Sequence, residues 1–275
     1  MATVLRPQTG EVLCFDKPYA LTSFRVVSRV RGILSQRLGL PPKEALKVGH
    51  AGTLDPLATG VLIVCTGKAT HRIDDLQAGT KEYVATLRLG ATTPSLDMET
   101  AEDAWYPTDH ITPELVAQVL ERFRGRIEQV PPAFSAVKVD GKRAFKLARK
   151  GKAPDLRPKV LVIDEIEMLA LDTHTGSSAP LTVRIKDVKT PEEAARLHAH
   201  NAALTPSLTL RVVCSKGTYI RALARDIGQA LSSGAYLQAL RRTRIGTYTT
   251  NDCLRIEQFE QWVDEQQIYT ETPIR

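Results

Sequence analysis

The chain has 275 residues, 43% of them hydrophobic and 25% charged, enough for one large or two modest domains with cores of their own and unlike a disordered or fibrous polypeptide. No stretch reaches the roughly eighteen apolar residues of a membrane-spanning helix, and the opening MATVLRPQTG has no apolar leader core, so a soluble protein of the cytoplasm is expected. The net charge of +6 suits a polyanionic partner.

In chain order, GEVLCFD reads as a strand. TSFRVVSRVRGILSQRLG follows as a helix, capped by Thr22 or Ser23 and stopped by Gly39. Between Asp16 and Glu44 there is no acid to balance Lys17, Arg25, Arg29, Arg31, Arg37 and Lys43. GVLIVC is a short buried strand, KATHRIDDLQAG a helix ending at Gly79, and EYVATLRLG a strand. TPELVAQVLERFRG is a helix with Thr112 as its cap, Pro113 in its first turn and Gly125 as its stop. PPAFSAVKVDGKRAFKLARKG holds a D-G turn and a second basic run, Lys138, Lys142, Arg143, Lys146, Arg149, Lys150 and Lys152 against Asp140 alone, and reads as a protruding hairpin or lobe.

KVLVIDEIEMLAL and PLTVRIKDV read as strands, DTHTGSSA as a linker and TPEEAARLHAHNAA as an appended helix. His198 and His200, two apart, cannot share a helix face, which argues against a metal pair. In SLTLRVVCSKGTYIRALARDIGQAL a strand gives way to a helical stripe of Ile220, Leu223, Ala224, Ile227 and Leu231, and the joining SKGTY is a turn suited to presenting functional groups. A third basic run, RRTR, covers Arg241 to Arg244, whereas the thirty residues from Gly246 carry six acids and two bases. Three single-sign clusters point to nucleic acid. Cys14, Cys65, Cys214 and Cys253 are far apart in sequence and the first three lie in apolar runs, which fits small core residues in a reducing compartment better than disulfides or zinc ligands.

The candidate chemistry starts at KVGHAGTLDPLATGVLIVC. Asp55 stands between a glycine-bounded turn and Pro56, which pushes it towards extended geometry, so this carboxylate is held. A turn role is the commoner one for an aspartate in such a loop. Arg221 opens a helix, where the dipole disfavours a cation by up to about 1 kcal/mol unless an anion is near, and Asp55 could supply it; the bland alternative is a solvated stripe with Arg225. Tyr83 shares a strand face with Ala85, Leu87 and Leu89, as a core tyrosine does, yet at the start of a strand it can also floor a pocket for a stacked base. His50 lies in the Asp55 loop, and Lys68 is either a surface lysine or a donor to backbone near the site. The spacing from Gly60 to Lys68 does not fit a phosphate-binding loop.

GHAGTLDPLATGVL resembles the catalytic motif of TruB-type tRNA pseudouridine synthases, and so, in the family's order, do DKPYALTS, GKAT, KEYVATLRLG, PPAFSAVKVDGKRAFKLARKG, SKGTYIRALARDIG and AYLQALRRTRIG, spanning about residues 10–260. The resemblance implies an α/β (α+β type) fold, the pseudouridine synthase fold: a large mixed, mainly antiparallel sheet with flanking helices. Its catalytic domain would cover residues 1–245, with an RNA-gripping thumb at 124–152, an extended insertion at 172–206, and a short acidic segment at 246–275 in place of a complete RNA-binding PUA domain.

It further implies Asp55 as the catalytic aspartate, Tyr83 as the tyrosine stacked on the target base and Arg221 as the arginine paired with the aspartate. His50 would help hold the everted loop and Leu240 would pack in the pocket, with Lys68, Tyr219, Lys138, Lys142, Arg143 and Lys146 as further substrate contacts. The reaction would isomerise a uridine at position 55, in the tRNA T-loop, breaking C1′–N1 and forming C1′–C5. It would need no cofactor or metal, and the enzyme would act as a monomer on the T-arm. Ala20 departs from the family, where glycine is usual, and so does Ala51, where threonine is common; TPSLD, Thr93 to Asp97, keeps part of a more polar pattern. An RNA-binding or folding module with secondary or lost catalysis is the alternative reading. An aspartyl phosphotransferase is disfavoured because TLDPLATG lacks a second acid.

Overall fold

The computed structural model describes residues 4–135, 137–139, 141–148, 151, 154–174, 176 and 178–269. The chain forms two compact units, one made of the stretch up to Lys81 and that from Arg241 onwards, the other of Glu82–Leu240.

The first unit begins with β1 (Val4–Leu5), β2 (Val12–Lys17), α1 (Ser23–Arg37), β3 (Val48–His50), β4 (Ala58–Thr66), a 3-10 stretch at Gly67–Arg72 and α2 (Ile73–Ala78). All nine residues of β4 are buried because it pairs on both edges, antiparallel to β2 with Phe15 opposite Leu62 and to β3 with His50 opposite Val64. Side-chain alternation then fills both faces. Leu62 and Val64 join Leu13 and Phe15 against the stripe Val26, Val27, Val30, Ile33 and Leu34 of α1, while Val61, Ile63 and Cys65 pack with Cys14 and Ala51 on the other side. The cap of α1 is Thr22, whose hydroxyl accepts from the Arg25 amide at 3.1 Å.

The second unit carries β5 (Lys81–Leu89), which begins at the boundary, then β6 (Ala91–Thr92), β7 (Ala104–Trp105), α3 (Pro113–Glu121), β8 (Gly125–Gln129), β9 (Lys138–Val139), β10 (Lys142–Arg143), α4 (Ala144–Ala148), β11 (Lys159–Asp172), α5 (Pro191–Ala202), β12 (Ser207–Cys214) and α6 (Ile220–Ala230). β11 lies between β12 and β8, antiparallel to both, and β5 flanks β12. Burial alternates along β5 and puts Tyr83, Ala85, Leu87 and Leu89 on the covered face, as expected. β9 and β10 form the short hairpin of the expected thumb, with Lys142 opposite Val139; Asp140, Arg149, Lys150 and Lys152 lie outside the described residues.

β13 (Ala235–Ile245) returns the chain to the first unit, followed by β14 (Tyr248–Thr249), β15 (Leu254–Arg255), α7 (Phe259–Asp264) and β16 (Gln267–Ile268). β15 joins β2 in parallel, and the Phe259 ring meets Phe15 edge-on at 5.1 Å. The acidic segment thus contributes Ile256, Phe259 and Val263 to the core of the first unit, and Asp264 takes both hydrogen bonds of a forked contact from Arg37, at 2.6 and 3.0 Å.

Several expectations need correction. PLTVRIKDV is not a strand: its alternation finds no ladder partner among the described residues, and the segment is held instead by the Val183 amide on the Met98 carbonyl at 2.8 Å, ahead of a turn at residues 185–187. KATHRIDDLQAG is not one helix but a 3-10 stretch followed by α2. AYLQALRRTRI, read only as a motif, is an eleven-residue strand. Cys14, Cys65 and Cys214 are buried, but folding brings Cys14 and Cys253, far apart in sequence, to 2.8 Å between sulfurs, and this contact with burial raises the Cys14 thiol pKa.

Ala20 has φ +61°, a left-handed conformation that costs a residue with a Cβ about 1 kcal/mol and explains why glycine suits this position. Ala20→Gly is expected to raise stability by up to about 1 kcal/mol, read as a higher melting temperature. A lower one would show that the residue is not strained.

Candidate active site

The Asp55 loop is fixed from three directions within the first unit. From α1, the Ser23 hydroxyl accepts from the Leu54 amide and donates to the Leu54 carbonyl, both at 2.9 Å, and Ser23 is buried. From the end of β2, the fully buried Lys17 ammonium donates to the carbonyls of Leu21 at 2.7 Å, Pro18 at 2.9 Å and Pro56 at 3.2 Å. From β13, the buried Arg242 guanidinium donates to the carbonyls of Val61 at 2.8 Å, Gly52 at 3.0 Å and Thr53 at 3.5 Å. Beyond the loop, the Ala58 amide returns to the Asp55 carbonyl at 3.1 Å.

Glycine is required at two points. Gly52 has φ +97°, and Gly60 has φ +101° with the Arg242 carbonyl so close that a Cβ would collide with it. The backbone on both sides of Asp55 is therefore immobilised while its side chain stays half-buried, reachable by a ligand.

Burial pushes the Lys17 amine down to about 7, opposed by the Asp55 charge, which favours the ammonium. His50 is not in the loop proper but ends β3. Burial, and then the Arg242 charge, lower its pKa, so the ring is neutral at pH 7; its Nδ1 is buried without a hydrogen-bond partner among the described residues. Lys68 stands exposed in the 3-10 stretch, and its amide donates to the Gln8 carbonyl at 3.3 Å.

The second unit fixes the other expected residues. Arg221, in the first turn of α6, is buried, donates to the carbonyls of Ser95 and Phe134 at 3.0 Å each, and lies 3.6 Å from the carboxylate of buried Asp97. The solvated-stripe alternative is thereby excluded for Arg221. Asp97 in turn accepts from the Glu99 amide at 2.9 Å. Tyr83 is 8% exposed on β5, Leu240 is buried on β13, and Tyr219 precedes α6 with its amide on the Gln129 side chain at 2.9 Å. Lys146, in the segment expected to be the thumb, is exposed on α4, and Lys138, Lys142 and Arg143 are placed on the hairpin strands.

Sequence reasoning missed Lys17, Ser23, Asp97 and Arg242 as site supports. The RRTR run is not a free basic surface: Arg242 is consumed by carbonyls and Arg241 forks onto Asp16 at 2.7 and 3.1 Å. A cleft of about 740 Å³ also lies among Glu99, Thr182, Arg184, Asp187 and Leu197.

Two family models match this chain, the TruB family pseudouridylate synthase N-terminal domain over residues 40–190 and the tRNA pseudouridylate synthase B C-terminal domain over residues 221–275. The tRNA pseudouridine synthase B of Phocaeicola vulgatus is 54% identical over 94% of this chain and 95% of its own, and that of Bacteroides thetaiotaomicron 57% identical with the same coverage. Among solved structures, a Cbf5-Nop10-Gar1 complex matches with a TM-score of 0.60 and 26% identity, over 94% of this chain and 57% of the matched one. The chain belongs to the TruB family of pseudouridine synthases.

Proposed function

We propose that this protein isomerises the uridine at position 55, in the T-loop of tRNA, to pseudouridine, with Asp55 as the catalytic carboxylate. The observation that carries the reading is a half-exposed carboxylate on a loop tied by Ser23, Lys17 and Arg242, in a chain more than half identical to tRNA pseudouridine synthases B along nearly its whole length. A fixed carboxylate can stabilise or trap the positive charge that develops at C1′ when the bond to N1 breaks, or remove a ribose proton, without a cofactor. The base then turns and C1′ bonds to C5, whose hydrogen leaves as a proton while N1 gains one, so atoms balance.

Arg221 is the proposed partner of the Asp55 charge, Tyr83 the stacking ring, and His50, Lys68, Tyr219 and Leu240 line the bound nucleotide. Catalysis is assigned to residues 1–245, by a monomer in the cytoplasm; among the described residues no helix is long and apolar enough to cross a membrane. The test is release of tritium from C5-labelled uridine in unmodified tRNA, with pseudouridine mapped to its position. No release, or release from uridines elsewhere only, would defeat the proposal.

The thumb supplies a separate expectation. Replacing Lys142, Arg143 and Lys146 with alanine should weaken tRNA binding and flatten the slope of log K against log salt by up to about 0.9 for each phosphate no longer neutralised. An unchanged slope would mark these side chains as solvated.

A further inference from the structure

The first turn of α1 exposes an aromatic ring with no structural reason to be there. Phe24 is 68% exposed, while the apolar stripe of the same helix, Val26, Val27, Val30, Ile33 and Leu34, is buried. Its flanking residue Ser23 is the one that closes two hydrogen bonds on Leu54, so the ring is mounted on the same rigid junction that holds the Asp55 loop. Arg25 and Arg29, one turn apart, are both solvent-accessible, and neither has an acidic partner among the described residues. By contrast Arg37, at the far end of the helix, is satisfied by Asp264.

No acid lies on α1 or in its first turn, so Arg25 sits at the positive end of the helix dipole with nothing to offset it. A lone exposed ring among polar neighbours is not the contiguous apolar patch of a protein interface. A ring beside two unpaired guanidiniums matches a nucleobase with its neighbouring phosphates.

We propose that Phe24, Arg25 and Arg29 form an RNA contact beside the Asp55 loop, in which Phe24 stacks on a base flanking the target uridine and the two arginines take adjoining phosphates. The inference rests on the reading of the protein as a tRNA pseudouridine synthase. Because Ser23 ties this turn to Leu54, the contacted nucleotides belong to the T-arm itself, and an isolated T-arm stem-loop should report the contact as fully as whole tRNA.

The experiment measures RNA affinity by filter binding and turnover by tritium release for Phe24→Ala, Phe24→Leu, Phe24→Trp and Arg25→Gln/Arg29→Gln. Phe24→Ala should weaken binding of tRNA and stem-loop about tenfold, the size of one base stack, with the effect in KM rather than kcat. Phe24→Trp should restore affinity and Phe24→Leu should not, which separates stacking from apolar contact. The double arginine variant should flatten the salt slope by about 1.4 to 1.8. Melting temperatures should match the parent, since none of these side chains is buried. Unchanged affinity in Phe24→Ala, full affinity in Phe24→Leu, or weakening seen with whole tRNA but not with the stem-loop would overturn the proposal. If the parent protein bound RNA but released no tritium, the activity reading would fail while the affinities still decided this one.

Discussion

Asp55→Asn is expected to bring tritium release below detection while changing tRNA affinity by less than about tenfold, or 1.4 kcal/mol. Asparagine keeps the shape of the side chain and forms turns nearly as well as aspartate, so a turn-forming residue would tolerate it. The anchors of the loop contact the backbone at Gly52, Leu54 and Pro56, and those from Ser23 and Arg242 are indifferent to the Asp55 charge, so the backbone should stay in place although the Lys17 ammonium loses a favourable neighbour. What disappears is the charge that would stabilise or trap the cationic sugar, or take a proton from it. Binding rests mainly on phosphate contacts elsewhere and should survive. Near-parent turnover would return Asp55 to a structural role and leave the protein's chemistry to another group.

Much of this arrangement is legible before folding because it is local. The cap at Thr22, the continuous apolar run of β4 and the alternation of β5 are written within a few residues each, and the glycines around Asp55 sit where the backbone needs them. The supports are illegible for the opposite reason. Lys17 and Arg242 look like members of basic surface clusters, and composition cannot distinguish a solvated cation from one enclosed by carbonyls of distant segments. Arg242 reaches Gly52 across 190 positions. PLTVRIKDV has the alternation of a strand, but a strand also needs a ladder partner, and this segment has none among the described residues; its Val183 amide goes to the Met98 carbonyl of a loop instead. The Cys14–Cys253 contact likewise follows from the parallel pairing of β15 with β2, a register that no local pattern specifies.

Lys17→Met should cost about 2 to 3 kcal/mol of stability and at least tenfold in turnover, because three buried carbonyls lose their donor and one of them, that of Pro56, directly follows Asp55, the proposed catalytic group. An ammonium has three N–H bonds for those three acceptors, whereas a neutral amine has two. Burial still works against the charge and lowers the amine from its usual 10.5 to about 7. The unfolded chain therefore binds this proton more tightly than the folded one.

Between pH 7 and 10.5 the unfolded state holds more protons at this site, so the stability of the parent relative to Lys17→Met should rise with pH across that window, by at most about 1.4 kcal/mol per pH unit. Below pH 7 both states are protonated, the full penalty of the buried charge is present, and the difference between the two proteins should be flat. Denaturant unfolding of both proteins from pH 6 to 10 reads this directly. Parallel stability curves across the window would mean that the ammonium in its carbonyl cage keeps an ordinary affinity for its proton, and that the three acceptors fully compensate its burial.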